Sequence, residues 1–414
     1  MKLRSLSLSN ILSLAIPLWI ASVSFPLLSL RYIYLIEGEA INDEVSRIYT
    51  IASLMMLSIS AFLLVAIFGS RSMRRPSASF IMLNFFALLC VLFSCIHMNA
   101  SSLLFSFMLI AVIYSVRIIT FECDFKIVNT ICALVLFLFI VLSLIMYYPP
   151  MGRYLGGIHP NIYGACLVAA VYFALFIELK YIRYAIFITG FVCSLIISSR
   201  YAMLSIFFIV LFNYIADQRL DRAVARILIV VVAFLLLSMF LMVSGDNFIS
   251  DALELSNPQR GFGSGGSGRL DLYENFWSQF ADGVVIGYGF RARDMYMGAH
   301  NGILNTILEN GIFSSLILFS AIAVRAFELV KIIVADGSRS YAKYYLFGLG
   351  ACLFSALFQP QLINFGDPLG VVFLLVLAAH PRPLAVSQAS RAGRQRVPRM
   401  SAQTSMAVRQ PPAG

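Results

Sequence analysis

The stretch Ile127-Val-Asn-Thr-Ile-Cys-Ala-Leu-Val-Leu-Phe-Leu-Phe-Ile-Val-Leu-Ser-Leu-Ile-Met-Tyr-Tyr148 decides the fold class. It contains no charged residue and is long enough to cross a bilayer as a helix. Similar runs recur along the 414 residues, which are 60% hydrophobic and 12% charged, against about 25% charged in ordinary soluble domains. No alternating strand pattern of roughly ten residues is present, so helices are favoured over a barrel. The sequence predicts an all-α, polytopic membrane protein.

Outward from that run, similar apolar segments predict about twelve transmembrane helices. They lie at residues 11–30, 48–68, 78–96, 101–119, 127–148, 161–178, 183–198, 200–215, 227–244, 300–324, 344–358 and 367–380. The chain thus divides into helices 1–9 (1–244), one large loop (245–299), helices 10–12 (300–380) and a tail (381–414). The tail is rich in Pro, Ser, Gln, Ala and Arg and lacks aromatic residues, a composition typical of disorder.

The turn Ser198-Ser199-Arg200 is very short for a connection between two spans. The sequence leaves two interpretations open for residues 183–215. They form two separate transmembrane helices, or they form a re-entrant or broken pair.

The distribution of basic residues predicts the orientation. With twelve spans both termini lie on one side, and that side receives 22 of the 30 Lys and Arg residues when residues 117–126 and 325–343 are counted among its loops. The other side receives 8, all of them arginine. By the positive-inside rule, both termini and the tail are cytoplasmic and the 245–299 loop faces outward. The net charge of +10 is therefore topogenic and implies no nucleic-acid partner.

The outward side collects polar residues that suit an anionic substrate. Three helix starts there, near Asn161, Arg200 and Asn301, present unpaired N–H groups and a positive dipole end, which attract anions. A guanidinium binds phosphate with two parallel hydrogen bonds, whereas an ammonium is a point charge. The alternative explanation for the arginines is chance in an Arg-rich sequence. The candidate anion-binding residues are His159, Arg200, Arg269, Arg291, Arg293 and Asn301.

His300 is the candidate general base. It precedes a helix start, where the cationic form of a histidine is disfavoured, so the side chain stays neutral as a base requires. Glu309 lies about 13 Å further along the same predicted helix and on its opposite face. A carboxylate at membrane depth suggests a site residue, although a structural bond to a neighbouring helix explains it equally well.

Other kinds of site find no support in the sequence. Gly261-x-Gly263-x-x-Gly266 follows no strand, so it is no dinucleotide fingerprint, and we interpret it as a hinge. No metal-ligand spacing is present, and no cofactor is expected.

These residues resemble a known family. The pattern runs His159-Pro-Asn161-x-x-Gly164, Ser199-Arg200, Gly268-Arg269 with Trp277 after it, and His300-Asn301-x-x-Leu304-x-x-x-Leu308-Glu309-x-Gly311. It is similar to that of the O-antigen ligase and polymerase superfamily of bacterial envelope glycan assembly. The resemblance covers roughly residues 150–320.

The resemblance implies a GT-C-like fold in the bacterial inner membrane, with the 245–299 loop in the periplasm. It implies a metal-independent enzyme that moves a glycan from undecaprenyl diphosphate to a hydroxyl of another glycan, of lipid A core or of a protein. His300 would be the base, and Arg200, Arg269 and one of Arg291 and Arg293 would bind the diphosphate. The single compact loop favours a ligase over a polymerase.

Two other classes remain as alternatives. A lipid-linked glycan flippase or polysaccharide exporter should carry charges through the whole membrane depth, whereas here they gather at one face. A structural assembly subunit would have no need of the histidine and arginines.

Overall fold

The structure is a computed structural model that describes residues 13–28, 76–150, 155, 158–216, 269–292, 298, 301–336, 340–359 and 362–380. These residues are mostly helical and contain no β-sheet, only a bridge between Leu155 and Ile158. The helices are α1 (Ala15–Ser24), α2 (Ala78–Ile96), α3 (Ala100–Glu122), α4 (Phe125–Tyr147), α5 (Pro160–Ala174), α6 (Lys180–Ile196), α7 (Arg200–Ala216), α8 (Arg269–Gly283), α9 (Gly302–Asp336), α10 (Ala342–Ala356) and α11 (Pro368–Ala378). A 3₁₀ turn, Phe25–Leu28, follows α1.

The described part of the chain fits an all-α membrane protein. By length and composition, α2, α4 and residues Ala100–Phe121 of α3 are apolar enough to cross a bilayer. The predicted spans 48–68 and 227–244 lie outside the described residues, as do most of the 245–299 loop and the 381–414 tail. Each remaining predicted span overlaps one helix. The number of twelve spans stays a prediction.

Side-chain caps explain where several helices begin. Asn99 Oδ1 accepts a hydrogen bond from Ser102 N at 3.0 Å before α3, and Asp124 Oδ1 accepts one from Lys126 N at 2.9 Å before α4. Asp367 caps α11, whose first residue, Pro368, has the fixed φ that suits this position. Such caps satisfy N–H groups that have no partner inside the helix.

The turn between α6 and α7 joins two helices, and their placement as two membrane crossings or as a re-entrant pair stays a prediction. α6 ends at Ile196, Ser198 takes a left-handed conformation (φ 50°), and α7 begins at Arg200. Ser199 N donates to Ser194 O at 2.9 Å, which closes the end of α6. The tight connection is therefore an ordinary helix ending followed at once by a helix start.

Helices α5 and α11 occupy the centre of the bundle. α11 is buried along its whole length, and α5 is buried from Tyr163 to Ala174. A helix that is apolar all round belongs in the interior of a bundle. The two central helices are therefore fixed on all sides, which gives rigid support to the residues at their starts.

Two arginines counted among the inner loops are instead fully buried within helices. Arg117 of α3 and Arg325 of α9 are at most 1% exposed. Arg325 donates through Nε to Val376 O at 2.8 Å and through Nη2 to Ala379 O at 2.9 Å. Basic groups stabilise the carbonyls at the C-terminal end of a helix, here α11. Without these two residues the count is 20 against 8, which leaves the predicted orientation unchanged.

Candidate functional site

His159 is the cap of the central helix α5. Its Nδ1 accepts a hydrogen bond from Asn161 N at 3.1 Å, and Pro160 follows as the first helical residue. A ring nitrogen that accepts carries no proton, so this geometry requires the neutral tautomer with the proton on Nε2. His159 thus acts as a helix cap, and the N–H of Asn161, which the sequence analysis predicted to be unpaired, is bonded to the His159 ring.

The two motif pieces around His159 and Arg200 pack against each other. Tyr201, the second residue of α7, donates its hydroxyl to Asn161 O in a short hydrogen bond. A Cβ added to Gly164 would lie 2.7 Å from both Ser199 Oγ and Tyr201 Oη, so only glycine fits at this position. The structure therefore brings the starts of α5 and α7 together.

Arg200 itself is half-buried and is the first residue of α7. A guanidinium at a helix start adds its charge to the positive dipole end of that helix. The neighbouring Ser199 is buried, with its hydroxyl against Gly164. Arg200 is thus held at a packed helix junction, where a side chain has little freedom.

The predicted outer loop contains an amphipathic helix, α8, which begins at Arg269. Phe276 is buried and packs with Phe280 against Leu304 and Leu308 of α9. Trp277, the next residue, is 64% exposed. The backbone of Arg269 is described but its side chain is not, so its role stays a prediction.

Helix α9 is broken at Gly311, whereas the sequence predicts an uninterrupted span over residues 300–324. Gly311 has φ 70°, and a Cβ there would collide with Val285 O. A Cβ on Gly287 (φ 69°) would in turn collide with the backbone of Glu309 and Gly311. The two glycines thus allow two backbone segments to meet without side chains between them.

The segment after α8 replaces the hydrogen bonds that α9 loses at this break. Tyr288 N donates to Leu308 O at 2.9 Å and Gly289 N donates to Glu309 O at 2.8 Å. In the other direction, Ile312 N donates to Val284 O at 2.8 Å. A broken helix at membrane depth needs such partners, because lipid offers none. We refer to this arrangement as the Gly287–Gly311 contact.

Asn301 and Glu309 mark the two ends of the short helical piece before Gly311. Asn301 Oδ1 accepts from Ile303 N at 3.0 Å and from Leu304 N at 3.2 Å, so this amide is a helix cap. Glu309 is buried, at 8% exposure, and faces a mainly polar cavity of about 10 Å³, room for roughly one water molecule. The cavity is lined by Gly302, Asn305, Thr306, Glu309, Asn310, Leu362 and Ile363.

Arg291 is surrounded by groups of the protein itself. Its guanidinium carbon lies 4.5 Å from the ring centre of Phe105 and 5.4 Å from that of Phe365. Nη2 donates to Asn364 Oδ1 at 3.5 Å. The residue has φ 59°, which is uncommon for a side chain other than glycine.

The connection between α10 and α11, residues 357–367, contains site residues that the sequence analysis does not single out. Gln359 Nε2 donates to Asn161 O at 3.4 Å, and Asn364 contacts Arg291. Asp367 is half-buried. Its carboxylate accepts hydrogen bonds from Gly370 N at 2.7 Å and from Asn364 Nδ2 at 2.7 Å. The Asp367-Pro368 pair was the local signal for a helix start here.

The structure thus assembles part of the predicted set. His159 and Arg200 lie on helix starts that pack together, and Arg291 is linked to Asn161 through the 357–367 connection. His300 and Arg293 lie outside the described residues. Within the described ranges, no group of three or more His, Cys, Asp or Glu side chains is placed to hold a metal ion.

Comparison with known families agrees with the resemblance in the sequence. Residues 184–319 match the family model described as O-antigen ligase (Wzy_C). The matched segment runs from within α6 past the break in α9 and contains every candidate site residue except His159. No curated protein matches the chain. The match supports a glycan transferase of the O-antigen ligase and polymerase type, with a lipid-linked glycan and an acceptor as its general partners.

Proposed function

We propose that this protein transfers a glycan from undecaprenyl diphosphate to an acceptor hydroxyl at the periplasmic face of the bacterial inner membrane, with both termini in the cytoplasm. The observation that carries the proposal is the junction of α5 and α7. There, inside a bundle of apolar helices, the His159 and Arg200 helix starts meet at one end. Helix starts and a guanidinium in one place favour a diphosphate group.

The reaction is a direct displacement at the anomeric carbon. The acceptor oxygen forms a bond to that carbon as the bond to the diphosphate oxygen breaks, and the leaving diphosphate keeps the electron pair. His300 is assigned the role of the base that accepts the proton of the acceptor hydroxyl. Attack opposite the leaving group inverts the configuration at the anomeric carbon.

The arginines neutralise the charge that develops on the departing diphosphate. Arg200, Arg269 and one member of the Arg291 and Arg293 pair are assigned this role, and the positive dipole ends of the helices that begin at Pro160 and Gly302 add to it. Fixed positive groups in a site that excludes water stabilise such charge strongly. In this proposal they supply the neutralisation that a divalent metal provides in other transferases.

The acceptor class follows from the outer loop. The sequence predicts one outer loop, over residues 245–299, and a single loop favours a ligase, for which the acceptor is lipid A core or a protein hydroxyl. In a polymerase the acceptor would be a second lipid-linked glycan. Both activities use the same displacement, so the donor half of the site is common to them.

The test uses purified protein in liposomes that contain an undecaprenyl-diphosphate-linked glycan. The wild-type protein is expected to release undecaprenyl diphosphate only when an acceptor is present. His300→Ala is expected to lower turnover by about 10²–10⁴-fold, the usual contribution of a general base. His97→Ala, at the end of α2, is the matched histidine control and should leave turnover unchanged. Equal turnover in wild type and His300→Ala would contradict the assignment, and acceptor-independent movement of the donor across the bilayer would indicate a flippase.

A further inference from the structure

We propose that Arg291 is a positioning residue, which holds the 357–367 connection in place, and that it does not bind the diphosphate. This inference rests on the proposed function. It concerns Arg291 and Arg293, because the sequence does not show which of these two arginines binds the diphosphate.

The first observation is the aromatic surrounding of Arg291. Phe105 comes from α3 and Phe365 from the 357–367 connection, and the guanidinium contacts both rings. Phe365 also packs edge-on against Phe290, with ring centres 6.1 Å apart. A guanidinium is planar and weakly hydrated, so it is the cation best suited to lie against aromatic rings. Arg291 thus joins three separate parts of the chain.

The second observation is a chain of hydrogen bonds from Arg291 to the start of α11. Asn364 Oδ1 accepts from Arg291 Nη2 at 3.5 Å and from Gly366 N at 3.0 Å. Asn364 Nδ2 donates to Asp367 Oδ2 at 2.7 Å, and Asp367 Oδ1 accepts from Gly370 N at 2.7 Å. Asn364 thus links Arg291 to the carboxylate that caps α11.

The third observation is the backbone of Arg291. Its φ of 59° follows Gly289, which has φ 109° and lies so close to Ser102 that a Cβ would be 2.9 Å from the Ser102 hydroxyl. Ala292 N donates back to Gly289 O at 3.1 Å and closes the turn. A strained conformation persists only where the surroundings fix it. The turn therefore sets the direction of the Arg291 side chain.

The connection that Arg291 holds also reaches the other half of the site. Gln359 Nε2 donates to Asn161 O, the same carbonyl that accepts from Tyr201. One connection thus contacts the start of α5 at one end and the segment that leads toward position 300 at the other. Loss of Arg291 should misplace the reacting groups relative to each other.

The experiment compares donor KM and kcat for glycan transfer in liposomes. Arg291→Lys keeps the charge but loses the planar group, and Phe105→Leu keeps Arg291 but removes one of its rings. Asn364→Ala removes the hydrogen-bond acceptor. If Arg291 positions the connection, all three variants lower kcat at least tenfold and change donor KM by less than about twofold. A combined Arg291→Lys, Asn364→Ala variant should then be no worse than the poorer single variant, because both act through one unit.

A role for Arg291 in binding the diphosphate would give a different pattern of donor KM and kcat. If Arg291 binds the diphosphate, its loss raises donor KM about tenfold or more, as expected for a charge-assisted hydrogen bond. Phe105→Leu and Asn364→Ala would then have little effect, and this pattern would overturn the inference. Size-exclusion profiles and thermal unfolding in detergent identify any variant that fails to fold. If the wild-type protein transfers no glycan, the proposed function is wrong. That result differs from both outcomes above, in which the wild-type protein is active.

Discussion

Two helix junctions at the same end of the bundle have the same backbone conformation, but their polar side chains bond to different partners. In the α2–α3 junction, Met98 has φ 50° and Asn99 N donates to Ser94 O at 3.2 Å. In the α6–α7 junction, Ser198 has φ 50° and Ser199 N donates to Ser194 O at 2.9 Å. In both, the next helix begins one residue later.

The difference lies in where the polar side chains are directed. In the first junction the hydroxyl of Ser94 bonds those of Ser102 at 2.7 Å and Ser106 at 3.1 Å, so the network closes within the hairpin. In the second, Tyr201 bonds the carbonyl of Asn161 on another helix. One backbone turn thus serves once to join two helices and once to fix an arginine beside a second helix start.

Of the substitutions that distinguish the two junctions, Arg200→Ala is expected to have the largest effect on the rate of glycan transfer. Removing a fixed positive group from the diphosphate site should lower the rate of glycan transfer by about 10²–10³-fold. Ser101→Ala, in the first turn of α3, alters the matched junction and should change the rate by less than about twofold. The rates are measured in liposomes with a lipid-linked donor. Equal rates for wild type and Arg200→Ala would mean that the α6–α7 junction is as purely structural as the other.

A smaller effect is expected when the contact between α5 and α7 is crowded. Gly164→Ala places a methyl group against Ser199 and Tyr201 and should destabilise the protein by about 1–3 kcal/mol. The matched control is Gly350→Ala in α10, where an added Cβ meets nothing within 4 Å. There the change should stabilise the helix by about 0.5–1 kcal/mol. Thermal unfolding in detergent measures both, and shifts of the same sign would argue against a tight α5–α7 contact.

The smallest effect tests whether the two junctions really share a backbone. Met98→Gly and Ser198→Gly each place glycine at a left-handed position, which removes a steric cost at the end of α2 or α6. Each should raise the free energy of unfolding by a few tenths to about 1 kcal/mol. The gain is small because glycine also makes the unfolded chain more flexible, which opposes folding. Chemical unfolding of the two variants in detergent should give shifts of the same sign. Stability changes of opposite sign would mean that the two junctions do not share the same backbone conformation.

Local features of the fold were predictable from the sequence. The predicted span 78–96 coincides with α2, because an apolar run and a capping Ser77 define the helix without help from distant residues. The buried positions of Arg117 and Arg325 were not predictable. A basic residue near the end of an apolar run can turn toward water or toward the carbonyls of another helix, and only the fold decides between them.

For the site, the sequence predicted which helix starts share one end but not what joins them. The Gln359 to Asn161 hydrogen bond connects residues 198 positions apart, and no local pattern encodes it. The break at Gly311 was missed for the same reason. A glycine within an apolar run is compatible with a continuous helix, and the break depends on the segment around Gly287 that docks against it.

The Gly287–Gly311 contact limits where residues can be inserted into the chain between positions 289 and 311. The hydrogen bonds of the contact involve residues 284–289 and 308–312, so residues added between Ala292 and Asn301 leave these bonded groups in register. One residue added between Gly302 and Asn310 would instead rotate the helix by about 100° and displace the carbonyls of Leu308 and Glu309 from their donors. Length variation among homologues should therefore gather before Asn301, while the distance from Asn301 to Gly311 stays constant.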